Sequence, residues 1–175
     1  MDTMLLRCFQ RQVADNCKMA LHGARVINQG LQAGEQDAVW VGVPILLTGA
    51  ANAAKAFWGQ KGNLADQRAP LRQSLGVNDT SPLKDVDMRN NFEHYDERLD
   101  RWWADSPEHN AVDRMIGPPE AIEGVEDLDR FRVYDNTTND IVFWGERFNV
   151  QAIVTELDRI LPIAEQEANL PHWEV

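Results

Sequence analysis

The sequence predicts a mainly α-helical bundle with a β-hairpin inserted before its last helix, in one domain spanning residues 1–175. Three observations carry this. Apolar residues recur at helical spacing through most of the first hundred positions. From Phe131 the pattern changes to β-branched and aromatic runs, Phe131-Arg132-Val133-Tyr134 and Ile141-Val142-Phe143-Trp144. The turn-rich segment Asp135 to Asp140 separates them, which reads as a hairpin at about 131–148. Helical spacing then returns from about 150 to 168, with Asn149 as its cap.

The first helix reads as Leu5 to Ile27, where Leu5, Cys8, Phe9, Val13, Cys17, Ala20, Leu21 and Ala24 follow a helical pattern. Gly30 and Gly34 bracket a turn. A second helix runs from about Asp37 to Trp58, and Pro44 kinks it or marks its true start. Its small residues, Gly49, Ala50, Ala51, Ala53 and Ala54, suit a close helix–helix approach. Asn52 and Lys55 share a face that reads first as solvent-exposed, and otherwise as bordering a site. Gly59 to Asn63 ends this helix with turn chemistry. A short helix at Asp66 to Leu75 is interrupted by Pro70. Polar, irregular chain follows Trp103, with one helical turn expected in Ala121 to Asp129. In the last helix Val150, Ile153, Leu157, Ile160, Leu161 and Ala164 mark the buried face, and Pro162 bends it.

The formal charge is −11, unevenly spread. Residues 1–84 carry nine basic and six acidic side chains, residues 85–140 six and sixteen. A phosphate site must therefore draw on the first half plus Arg89, and the acidic middle either repels nucleic acid or meets a basic partner. Cys8 and Cys17 lie about 13 Å apart along one helix, too far for a disulfide, and read as buried, reduced thiols. No Cys/His spacing suggests zinc, and no cofactor motif is present. Met1 to Phe9 lacks a secretory pattern. The apolar run Ala38 to Ala51 is short for a membrane span. The expectation is a soluble cytoplasmic protein.

The central stretch, Pro82 to Trp103, reads as one amphipathic helix of about five turns. Ser81 is its N-cap, and Met88, Phe92, Tyr95, Leu99 and Trp102 form its apolar face. Asn90, His94, Glu97 and Arg101 lie opposite, with Arg89 and Glu93 on the flank. Within it, Arg89-Asn90-Asn91-Phe92-Glu93-His94 resembles the Arg-polar-xxx-His motif of the HEPN superfamily. The run Gly49 to Gly59, GAANAAKAFWG, also resembles a helix of bacterial HEPN-like proteins. The resemblance covers roughly residues 37–103. It implies a HEPN-like helical bundle and a metal-independent endoribonuclease, with Arg89, Asn90 and His94 as catalytic residues and no metal or cofactor. It further implies a homodimer in which two copies of the motif share a cleft, with RNA as substrate and a toxin–antitoxin or defence setting with an antitoxin-like protein partner.

The residues themselves suit that chemistry. Histidine exchanges protons near neutrality, the Arg89 fork matches two phosphate oxygens, and Asn90 is the i, i+4 neighbour of His94. Three other readings stand beside it. Arg89 pairs with Glu93 and Arg101 with Glu97 as ordinary helix-surface pairs. The protein is a non-catalytic dimeric interaction protein with a degenerate site. Or it is a nucleotide- or small-molecule-binding bundle, with a deep pocket away from the motif. His94 and Asp96 diverge on a helix and do not suggest a metal. His22, His109 and His172 read as surface or cap residues.

Overall fold

A computed structural model describes residues 1–171; the reading of His172 lies outside them. The chain is mainly helical, with a small sheet near its C-terminal end. Helix α1 runs Thr3–Ala33 and helix α2 runs Gln36–Trp58. The Asp2 carboxylate accepts from the Leu5 amide at 3.2 Å to cap α1, and Gly34, at φ 69°, ends it. Gly30 is therefore not in a turn but buried inside α1. Val13, Cys17, Ala20, Leu21, Ala24 and Ile27 form the buried face of this helix.

Helix α2 packs antiparallel to α1 along a seam of small residues. A Cβ on Gly23 would lie 2.4 Å from the Leu46 amide nitrogen, and one on Gly42 would lie 2.7 Å from the Gly23 carbonyl oxygen. Two backbones this close leave no room for side chains at the crossing. Pro44 sits within α2 on its exposed side, so it does not mark the helix start. By length and composition α2 passes as a membrane span, but 61% of its most apolar stretch is buried in the protein. Val39, Val43, Leu46, Leu47 and Phe57 are buried in the same core as α1, which makes α2 a core helix.

Two expectations for the first half change. Cys17 is buried, and burial pushes its thiol up to about 12, whereas Cys8 is exposed. The short helix α3 covers only Ala69–Ser74, with Pro70 in its first turn, where its missing N–H costs nothing.

The central stretch is not one helix. Pro82–Lys84 forms a single 3₁₀ turn, α4 runs Asp87–Glu93, and α5 runs Tyr95–Asp105. His94 sits at the break, with φ −103° and ψ 39°. The break shifts the phase of α5. Tyr95, Arg98 and Trp102 face inward, half-buried, and Leu99 is turned out to 40% exposure. The side chain of Ser81 does not cap this stretch; it donates to Glu156 at 2.8 Å.

The expected hairpin proves to be part of a four-stranded sheet of order β1-β2-β3-β4. Its strands are β1 (Met115–Ile116), β2 (Val133–Asp135), β3 (Asp140–Phe143) and β4 (Glu146–Asn149). β1 pairs parallel to β2 and the other pairs are antiparallel. Phe131 and Arg132 precede β2, and Trp144 leaves the strand: with Gly145 it forms a two-residue turn at φ 51° and 78°. Positive φ at both central positions matches the right-handed twist of the flanking strands. The closing helix α6, Val150–Ala168, is capped by the Asn149 side chain accepting from the Ala152 amide at 2.7 Å.

The β2–β3 connection is held by a buried carboxylate. Asp135 accepts from the Thr137 amide at 3.0 Å, the Thr137 hydroxyl at 2.6 Å and Arg147 at 2.9 Å. Burial alone would raise the Asp135 carboxyl, but the bonds from Thr137 and Arg147 outweigh it and hold the group at about 2. Its folded pKa lies below the unfolded one, so its stabilisation is present above about pH 4 and fades as pH falls toward 2. Urea denaturation across that window is expected to show a steeper loss for wild type than for Asp135→Asn. Parallel curves would show that this carboxylate has no part in acid sensitivity.

Candidate functional site

The break at His94 places the motif on the wall of an open cleft of about 830 Å³. Arg89, Asn90 and His94 all line it. The C-terminal end of α2, with Lys55 and Trp58, and the loop that follows it through Lys61 also line it. Lys84 and Arg98 complete the lining. Five cationic side chains thus meet two carboxylates, Asp87 and Glu93, in a chain whose net charge is −11. Three of those cations come from the first half of the chain, as the charge distribution requires of a phosphate site.

Local structure explains each placement. The aromatic side chains after the break seat α5 on the sheet. Tyr95 lies 5.7 Å from Phe131 and 6.2 Å from Phe143, ring centre to ring centre. The Trp102 indole donates to the buried Asp129 carboxylate at 2.7 Å. On the other side of the break, Phe92 packs 6.1 Å from Phe143. Phe143 therefore touches both helices that meet at His94. The backbone continues through the bend, with the His94 amide donating to Asn90 at 3.0 Å and the Arg98 amide to His94 at 3.1 Å.

Within the cleft, the motif side chains have acidic neighbours. Arg89 pairs with Glu93 through both of its terminal nitrogens, and Asn90 lies 3.5 Å from the same guanidinium. His94 is half exposed, with its Nδ1 3.4 Å from Glu97 Oε1. Among the described residues its Nε2 has no hydrogen-bond partner. Arg101 pairs with Asp105 at 3.3 Å, not with Glu97 as the helix spacing suggests, because Glu97 turns to His94.

Several cleft residues are not apparent from sequence. Arg98 donates through Nε to Asn91 at 3.0 Å, and Asn91 donates to Glu146 on β4 at 3.0 Å. That chain of contacts ties the cleft to the sheet, and the seven-residue separation of Asn91 and Arg98 is its only trace in sequence. Lys84 lies 3.6 Å from Asp79 and 5.9 Å from the Trp58 ring centre. Lys55, which the sequence reads either as solvent-facing or as bordering the site, is exposed and lines the cleft. Asn52 is half-buried and does not line it.

A second cavity of about 580 Å³ lies away from the motif, by Gly30, Leu31, Gln36, Ile116 and Asn136. Among the described residues, no charged side chain lines it. Among the described residues, no three of His, Cys, Asp or Glu gather as metal ligands. Comparison with protein-family models, with curated proteins and with solved structures found no match.

Proposed function

We infer that the protein is a metal-independent endoribonuclease of HEPN type that acts as a homodimer. The observation that supports this is the common cleft: Arg89, Asn90 and His94 line one open, cation-rich space. His94 Nε2 takes the proton of a ribose 2′-hydroxyl as its oxygen attacks phosphorus. Arg89 leaves Glu93 for the phosphate and holds two of its oxygens as charge builds there. The bond to the 5′-oxygen breaks, and an imidazolium from the second copy of the motif protonates the leaving oxygen. The products are a 2′,3′-cyclic phosphate and a 5′-hydroxyl. One motif supplies one histidine and one arginine, so the second copy completes the acid and base pair. A toxin–antitoxin or defence setting, with a protein that covers the cleft, fits such an activity.

The Arg89–Glu93 pair favours a second reading. If that arginine stays with its glutamate, the protein is a non-catalytic dimeric interaction protein with a degenerate site. One experiment separates the two. Purified protein is incubated with mixed RNA in excess chelator, its mass is measured by light scattering at tens of micromolar, and the RNA ends are identified. A dimer that yields cyclic phosphate ends supports the ribonuclease. A dimer that leaves every RNA class intact supports the interaction protein, and a monomer removes the shared site.

A further inference from the structure

We propose that Lys55 and Lys61 form a second phosphate subsite in the cleft, so that the substrate is a single-stranded RNA gripped at two or more phosphates. This rests on the ribonuclease reading of the same site. The cations lining the cleft differ in what they already contact. Arg89 is engaged by Glu93, Lys84 by Asp79, and Arg98 by Asn91. Lys55 and Lys61 line the same space with no ion-pair or hydrogen-bond partner for their side chains among the described residues. They come from the end of α2 and the loop beyond it, whereas Arg89 comes from α4. Lys61 is also held at φ 54°, between Gly59 and Gly62 at 75° and 74°. A left-handed lysine is an unfavourable backbone choice, yet this loop keeps one at the rim.

Two unpaired ammonium groups that share the cleft with Arg89 but come from other elements match a polyanion with more than one phosphate. Five cations against two carboxylates in the lining match a polyanion better than an uncharged ligand. Specificity for bases is expected to be weak. Among the described residues the one indole lining the cleft, Trp58, is only 4% exposed and offers no ring face on which a base could stack. Recognition then falls on the backbone, and its signature is salt dependence.

The test uses the 175-residue chain carrying His94→Ala, so that RNA stays intact, and a fluorescent ten-nucleotide oligouridylate. Binding is measured across a salt series, with and without Lys55→Gln and Lys61→Gln. A charge-matched control carries Lys18→Gln and Arg25→Gln, both exposed and outside the cleft. Removing two single-strand phosphate contacts is expected to reduce the slope of log affinity against log salt by about 1.4, which is roughly 25-fold in affinity at 0.1 M salt. The control should move the slope little, and uridine monophosphate should bind far more weakly than the oligonucleotide. The subsite is overturned if the cleft and control pairs shift the slope equally, if the mononucleotide binds as tightly, or if no RNA binds. Its failure is separable from that of the ribonuclease. His94-dependent cleavage with an unchanged slope removes the subsite alone. A lysine-dependent slope with no cleavage by wild type keeps the subsite and removes the enzyme.

Discussion

His94→Ala is expected to lower RNA cleavage by roughly 10²–10⁴-fold, the usual contribution of a positioned acid or base. The same substitution should leave stability within about 0.5 kcal/mol, because it removes a half-exposed side chain with no core contact. The backbone at position 94 supplies the bend, and alanine keeps that backbone. Arg89→Lys should fail as well, since an ammonium cannot reproduce the two-pronged contact with phosphate. Initial rates on a fluorogenic RNA in chelator, read beside thermal unfolding, measure both effects. Equal cleavage by wild type and His94→Ala would falsify the assignment of His94 as the proton carrier. A large fall in melting temperature would instead give the side chain a structural role that its exposure does not predict.

How far this site can be read from sequence depends on which contacts create it. The long helices are local objects. α1, α2 and α6 follow from apolar spacing and from the Asn149 cap, and their observed ranges differ from the expected ones mainly at the α1 end. Gly30 reads as a turn in the sequence because glycine usually punctuates helices. Here it serves packing, with a Cβ that would lie 2.8 Å from the Val39 amide nitrogen, and no local pattern separates these two uses of glycine. The break at His94 is a tertiary effect. Residues 82–103 have helical periodicity throughout, but Tyr95 and Trp102 find Phe131, Phe143 and Asp129 only after the sheet has formed. β1 has two residues and pairs in parallel with a distant strand, so its own sequence carries no strand signal. β4 was missed because Trp144 reads as a strand residue, whereas it occupies a turn at positive φ. The motif residues are visible in the sequence as a constellation, and Lys55 as a residue that either faces solvent or borders the site; Lys61 is not, because the loop beyond α2 joins the cleft only through the fold.

Phe143→Ala is the substitution expected to cost most in stability, about 3–5 kcal/mol for truncating a fully buried aromatic side chain. Phe143 is 0% exposed and packs against the rings of Phe92, Tyr95, Phe131 and Trp144, of which the first three come from three separate segments. The void left behind would lie between α4, α5 and β3, beneath the bend that presents His94. Two consequences are expected together: a lower midpoint in urea denaturation, and loss of cleavage in the fraction that remains folded. Leu99→Ala is the matched control. A continuous helix would bury Leu99 and make its truncation cost roughly 2–5 kcal/mol, but the break turns it outward to 40% exposure. Its expected cost is therefore below about 1 kcal/mol, in the range of surface changes. Large losses at both positions would mean that α5 keeps the phase of an unbroken helix. A large loss at Phe143 with a small one at Leu99 would place the bend in solution, and with it the geometry on which the cleft depends.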